Sequence, residues 1–268
     1  MLLKKTKGFK PLLITIVFVY LLWLLGLPLW TLIQEAYQEG WTKISQELFS
    51  LEVLRAFGLT LLLCLSAVVF NGIFGTALAL VLVRQNFRGK SLIFGLLDLP
   101  FAISAVVVGY ALILLFGHGG ILAGMAEALG IRLVFSVPGM VIATLFVTFP
   151  FVVRELLPVL QELGEEQEQA AATLGASPRQ IFFSVTLPNI KWPLLYGLSL
   201  SFARALGEFG AVLVVGAGIA GFTETATIFV FRALEERMYA GAYGASLLLI
   251  LLSLILLISM EAVKKAKN

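Results

Sequence analysis

Arg204 and Glu208 are two ionisable residues four positions apart in an otherwise apolar run. That spacing puts both on one face of a helix, where they can pair. At 1.5 Å per residue Arg204 lies about 18 Å into the run, and a lone charge that deep in a bilayer costs at least ~2.5 kcal/mol. Two uses fit the pair. It borders an anion's route, with Arg204 attracting and Glu208 tempering, or it neutralises itself and holds helices together. Ser104, Ser199 and Ser201 offer hydroxyl donors to an oxyanion, or simply the small side chains of close helix packing. Covalent chemistry has no such foothold. The single His, His118, and the single Cys, Cys64, fall in separate segments, which leaves no nucleophile set, disulfide framework or Cys/His metal site. Gly89-Lys90-Ser91 lacks the phosphate-loop glycine five positions earlier, where Arg84 stands, and Gly216 to Gly221 spells G-x-G-x-x-G without a βαβ setting. The chain is read as holding no cofactor and hydrolysing no ATP by itself.

The elements that must position these residues follow from composition. Of 268 residues 60% are hydrophobic and 13% charged, with a mean hydropathy of +1.00, far too apolar for a water-facing surface. A bilayer core of about 30 Å takes roughly 20 apolar residues as a helix. Six stretches reach that length, near residues 12–33, 57–83, 92–116, 138–153, 194–215 and 242–258. The fourth is short and is expected to extend N-terminally through Leu133. None shows the period-2 alternation of a barrel strand. The reading is an all-α membrane protein with six transmembrane helices. The first run is too long for a cleaved signal and has no small-x-small site after it, so it is kept as a span. In the third, Asp98 and Pro100 place a carboxylate beside an expected kink.

Orientation follows from the basic residues, which favour the cytoplasmic side of short loops. With the N-terminus inside, thirteen Lys and Arg, among them Lys4, Lys5, Lys7, Arg84, Arg88, Lys90, Arg154, Arg179, Lys191 and Lys267, fall on the inner side, and five on the outer. Both termini are therefore expected in the cytoplasm. A net charge of +3 with no basic stripe gives no reason for a nucleic-acid partner.

Between Arg154 and Trp192 the composition changes abruptly. Glu162, Glu165, Glu166 and Glu168 precede Ala170, Ala171 and Ala172, strong helix formers with acids at the end the helix dipole favours. Gly175 fits the position just past the helix. Ser177 then caps a second helix with Pro178 in its first turn, and that helix is expected to end before Pro188. The product is a helical hairpin on the inner face, whose Ala-rich side is small enough to seat in a partner's groove.

Gln169-Ala170-Ala171, Gly175, and Val185, Leu187 and Pro188 at their spacing resemble the EAA loop of ABC-importer membrane subunits. The pattern departs at its first position, where Gln169 stands for the usual Glu, with Glu168 beside it. Asp98 to Ala102, Phe135 to Met140, Phe149 to Leu156, Leu174 to Ser177, Thr186 to Ile190 and Ala203 to Ala211 are similar to the sulfate and thiosulfate importers' membrane subunits, most of all the W-type. The Ala203 to Ala211 stretch is shared with molybdate and tungstate permeases.

This resemblance implies a type-I ABC importer (MetI-like) permease fold. Its transmembrane domain would cover residues 55–260, with a coupling loop at 155–191, an N-terminal segment of 1–54 and a tail of 261–268. In that family Glu165, Glu168, Gln169, Ala170, Ala171, Gly175, Leu187 and Pro188 would meet the ATPase, and Arg204, Glu208, Ser201 and Ser104 are candidates for the anion path. The implied partners are a sister T-type permease, two ATP-binding subunits holding ATP and Mg, an extracytoplasmic sulfate-binding protein and the lipid of a bacterial inner membrane. Alternatives are a molybdate or tungstate permease and, from another class, an ion-coupled secondary transporter. The latter needs coupling carboxylates near mid-bilayer, where only Glu208 stands.

Overall fold

The computed structural model describes residues 9–128 and 130–265, and among them every regular element is helical. Lys4, Lys5, Lys7 and Lys267 lie outside the described residues. Four unbroken helices are long and apolar enough to cross a bilayer: α1 (Pro11–Glu39), α3 (Leu51–Arg84), α7 (Val137–Leu163) and α12 (Tyr239–Lys265). Two further spans are broken pairs, α4 (Lys90–Ala102) with α5 (Ala105–Phe116), and α9 (Pro178–Leu206) with α10 (Gly210–Gly216). Short helices α2 (Trp41–Leu48), α6 (Ala123–Ala128), α8 (Glu166–Thr173) and α11 (Ala226–Glu235) complete the elements among the described residues.

The breaks correct the expected kink. Pro100 sits within α4, where Ile103 N still donates to the Leu99 carbonyl at 3.0 Å and closes the last turn. Ile103 and Ser104 then both turn extended, and α5 leaves at 113° to α4. The second break, at Gly207 to Phe209, bends the fifth span by 58°. The two breaks adjoin, because Gly210 lies against Ala105 and Val106. A Cβ added at Gly109 would sit 2.8 Å from the Ala211 carbonyl oxygen, so α5 and α10 touch backbone to backbone as small residues in membranes allow.

The fourth span also grows in the opposite direction to the one expected. Phe135 takes a positive φ of 54° and donates its N–H to the Val215 carbonyl at 2.7 Å, which stops any helix there. Ser136 caps α7 by accepting from Gly139 N, and the helix runs on past the apolar stretch to Leu163. The first nine residues of the predicted 155–191 loop thus belong to α7. The second hairpin helix does not end before Pro188 either. A single wide turn, Phe182–Thr186, precedes the proline and shifts the bonding ladder, so α9 continues from the hairpin into the membrane as one rod.

At one end of the bundle Ala79, Leu82, Leu97, Val152, Leu156, Leu160 and Ile190 form a core between α3, α4, α7 and α9. At the other, Val53, Ala56 and Phe57 of α3 pack on Phe229 and Ala233 of α11 and Ala242 and Ala245 of α12. Midway, a polar staple joins three helices. Asn71, 1% exposed at a wide turn of α3, donates to Thr148 Oγ at 2.7 Å, and Ser201 Oγ donates to the Thr148 carbonyl at 3.2 Å. Hydrogen bonds of this kind contribute about 0.6–1.7 kcal/mol in membranes. Asn71→Leu is therefore expected to lower stability by about 1 kcal/mol in denaturant unfolding from detergent micelles, and an unchanged midpoint would contradict the staple.

Candidate functional site

The hairpin is built by its caps. In α8 the acids Glu166 and Glu168 occupy the first turn, and the helix closes with Gly175 N donating to the Ala172 carbonyl at 2.9 Å and Ala176 N to the Ala171 carbonyl at 3.1 Å. Gly175 has φ +85°, the left-handed geometry such a closure requires. Ser177 then begins α9 with a capping box: its hydroxyl accepts from Gln180 N, and the Gln180 side chain accepts from Ser177 N at 2.8 Å.

One side of α8 is fastened to the bundle. Arg84, at the end of α3, donates Nε to Glu168 Oε2 at 3.0 Å and Nη2 to Glu168 Oε1 at 3.2 Å. Its remaining terminal nitrogen donates to the Leu160 carbonyl of α7 at 3.2 Å. Thr186, buried in the wide turn of α9, adds a bond to Glu168 Oε1 at 2.8 Å. Asn189 reaches Gln167 at 2.8 Å. One carboxylate thus ties together α3, α8 and α9, in the forked geometry that makes Arg pairs specific. Arg84 and Glu168 side chains are 17% and 23% exposed, so water screens the pair only in part.

The other side is free. Gln169, Ala170, Leu174 and Gly175 are exposed, Leu174 to 89%, and Ala171 is half-buried. Gln169 Nε2 donates within the hairpin to Glu165 at 3.3 Å. Ala171, Leu174, Gly175, Gln180, Ile181 and Val185 shape an open concavity of about 380 Å³ at the elbow. Leu187 is half-buried and Pro188 exposed one turn further along α9. The hairpin therefore offers a small-residue, exposed relief, partly apolar, held by a charged anchor.

The charges deep in the bundle sit at the breaks. Arg204 lies in the last turns of α9, but α9 ends at Leu206, so Glu208 does not continue its face as the spacing implied. The two pair all the same, with Arg204 Nη1 2.6 Å from Glu208 Oε2. Glu208 can reach because it folds back to cap α10, its Oε1 accepting from Ala211 N at 2.9 Å. Burial splits the pair, at 35% exposure for the Arg204 side chain and 2% for Glu208. Ser104 opens α5 at the adjoining break without spending its hydroxyl on a cap. Ser201 is fully buried in the α7–α9 contact, so packing accounts for it. Asp98 pairs with Arg154 across α4 and α7, and Arg154 lies 4.6 Å from the Phe101 ring centroid.

At the far end from the hairpin, Arg232 of α11 meets Glu224, Glu52 and Glu236. Its hydrogen bond with buried Glu224 holds the guanidinium pKa above its ordinary value. This network locks the start of α3 to α11 and to the loop before it. Sequence reasoning gave Arg84, Thr186, Asn71 and Arg232 no anchoring role. Only Arg232 and Glu236, four apart, carried a local signal. Among the described residues no group of His, Cys, Asp or Glu is placed to hold a metal.

The family described as "Binding-protein-dependent transport system inner membrane component" matches residues 71–267. The chain is 45% identical over 263 residues to "Sulfate transport system permease protein CysW" of Synechocystis sp., covering 98% of this chain and 95% of the relative. It is 38% identical over 241 residues to "Sulfate transport system permease protein CysT" of Escherichia coli K12, covering 90% and 87%. A chain in the crystal structure of a bacterial alginate ABC transporter, complexed with an alginate pentasaccharide-bound periplasmic protein, superposes with TM-score 0.78 at 18% identity, over 96% of both chains.

Proposed function

The chain belongs to the binding-protein-dependent transport inner-membrane component family, and from that premise we infer that it is the permease subunit of an ATP-driven sulfate importer. It is a multi-pass membrane protein that works with a sister permease, and ATP hydrolysis belongs to separate subunits. The observation that carries the reading is the hairpin: two capped helices, anchored through Glu168 and presenting Ala170, Leu174 and Gly175 outward. We propose that two ATPase subunits grip this surface and its counterpart in the cytoplasm, that a sulfate-binding protein docks on the opposite side, and that both chain termini face the cytoplasm of a bacterial inner membrane. Thiosulfate shares the charge and shape that such a path would accept.

An energy source is physically necessary. Bringing a dianion in against an inside-negative potential costs about 4.6 kcal/mol per 100 mV. ATP binding draws the ATPases together, and the hairpins follow. Because α9 is one rod from the hairpin to Leu206, a push at Gly175 moves the break at Gly207 directly. Rocking the two permeases opens the path outward, the binding protein releases its anion, and hydrolysis resets the assembly. Arg204, the more exposed member of its pair, borders that path.

Uptake of labelled sulfate into liposomes holding the assembled complex, with ATP and binding protein omitted in turn, tests the proposal. It expects uptake only when both are present. Persistence without ATP would overturn it, and tungstate moving far faster than sulfate would move the substrate assignment. For Arg204, the expected result of Arg204→Gln is a several-fold higher KM for sulfate with assembly intact, while Arg204→Lys stays near wild type. If Arg204→Gln with Glu208→Gln restored full uptake, the pair would be structural instead.

A further inference from the structure

We propose that the groove between α3, α4 and α7 holds an acyl chain of an anionic phospholipid, with its headgroup on the basic turn that joins α3 to α4. The groove is an open cavity of about 430 Å³, and every residue lining it is apolar, including Leu78, Ile93, Leu96, Pro100 and Phe149. It starts one turn below Lys90 and ends at Pro100. The lining itself runs about 10 Å along α4, from Ile93 to Pro100, and the ten residues from Lys90 to Pro100 make roughly 15 Å from headgroup level to the groove's end, half the thickness of a hydrocarbon core and the reach of one leaflet's acyl chain.

The turn above it supplies the charge. Between Gln85 and Ser91 there are two cations and no acid. Arg88 is exposed, and among the described residues no carboxylate pairs with it or with Lys90, whose Nζ donates to the Gln85 carbonyl at 3.1 Å. A phosphate at this level would meet both side chains at the mouth of the groove, where an anionic surface lipid is electrostatically favoured.

The orientation of α4 separates this face from the one that protein or water must cover. Asp98, paired with Arg154, lies roughly 150° around α4 from the groove-lining residues. A half-exposed ion pair cannot face lipid tails, whereas the groove side carries nothing that needs water or a polar partner. Arg84, whose fork holds the hairpin, ends α3 just before the basic turn, so headgroup and hairpin lie at the same end of the bundle. Assigning that end to the inner leaflet rests on the importer reading; the groove and its charge do not.

The test is native mass spectrometry of the full complex after equilibration in nanodiscs of equal phosphatidylglycerol and phosphatidylcholine. Wild type is expected to retain phosphatidylglycerol over phosphatidylcholine by about fivefold or more. Arg88→Gln with Lys90→Gln is expected to retain the two equally, and Leu96→Trp, which fills the groove, to retain neither at unchanged subunit composition. Leu78→Phe gives a milder filling should the tryptophan prevent assembly. Equal retention by wild type, undiminished retention in both filled variants, or cross-links from Leu96→Cys to the sister permease would overturn the proposal. Retention needs no transport, so a complex that keeps its lipid preference but takes up sulfate without ATP would sink the importer reading and leave this one standing.

Discussion

Gly175→Val is expected to lower sulfate uptake at least about tenfold while the chain still inserts and folds. No side-chain clash causes this, because a Cβ at Gly175 meets nothing within 4 Å. The cause is the backbone. At φ +85° an L-residue is strained by roughly 1–2 kcal/mol, and a β-branched one by more. The elbow would relax by giving up the Gly175 and Ala176 bonds that close α8. That turns Leu174 away from the position it presents to a partner. Gly175→Asn supplies the control, since Asn tolerates the left-handed region and is expected to keep most uptake. Co-purification of the ATPase subunits and uptake rates, measured side by side, check both. A Val variant that transports normally, or an Asn variant as impaired as Val, would contradict the backbone argument.

Glu168→Gln is expected to uncouple the machine rather than dismantle it. The substitution keeps the size and the bond from Thr186, but replaces a charged, forked contact with Arg84 by a neutral one. Arg84 keeps the Leu160 carbonyl and at most one neutral bond to the amide oxygen, and faces an N–H donor where the second carboxylate oxygen stood. With both side chains about one-fifth exposed, screening reduces the loss to about 1–3 kcal/mol. The hairpin would still bind the ATPase through its outward face, while its motion would reach α3 less faithfully. The expected readout is a several-fold fall in sulfate imported per ATP hydrolysed, with ATPase binding retained. Arg84→Lys should behave similarly, because an ammonium cannot reproduce the fork. Gln169→Glu, which restores the residue usual at that position, is expected to change little, since position 169 faces away from the anchor. An unchanged ratio in Glu168→Gln would remove Glu168 from its role.

What the sequence disclosed and what it hid divide along physical lines. Local chemistry was legible: Gly175 as the closing residue, Ser177 with Pro178 as a start, and the change from apolar run to acid-and-alanine segment all follow from neighbours within a few positions. The breaks at Ile103 and Gly207 were hidden because the apolar composition continues across them, and hydropathy does not register backbone direction. Pro100 marked the neighbourhood of the first break but not its place, since the helix closes one more turn after it. Arg204 and Glu208 pair as their spacing implied, though for a different reason, a carboxylate capping the next helix across a bend. The anchor was the hardest to see. Arg84 is 84 residues from Glu168, and nothing in either vicinity points to the other. The acid expected at position 169 is absent, and the structure shows its neighbour bound to the bundle instead.

The most direct measurement on the central claim is a cross-link from the hairpin tip. Leu174→Cys puts a thiol at a site 89% exposed, and the single native cysteine, Cys64, is buried and silent to a water-soluble reagent. In the intact, transporting complex this thiol is expected to cross-link to an ATPase subunit, with a yield that changes when ATP is bound. A complex that imports sulfate while Leu174→Cys reacts freely with the reagent and never joins an ATPase would show that the hairpin is not where this permease receives its power.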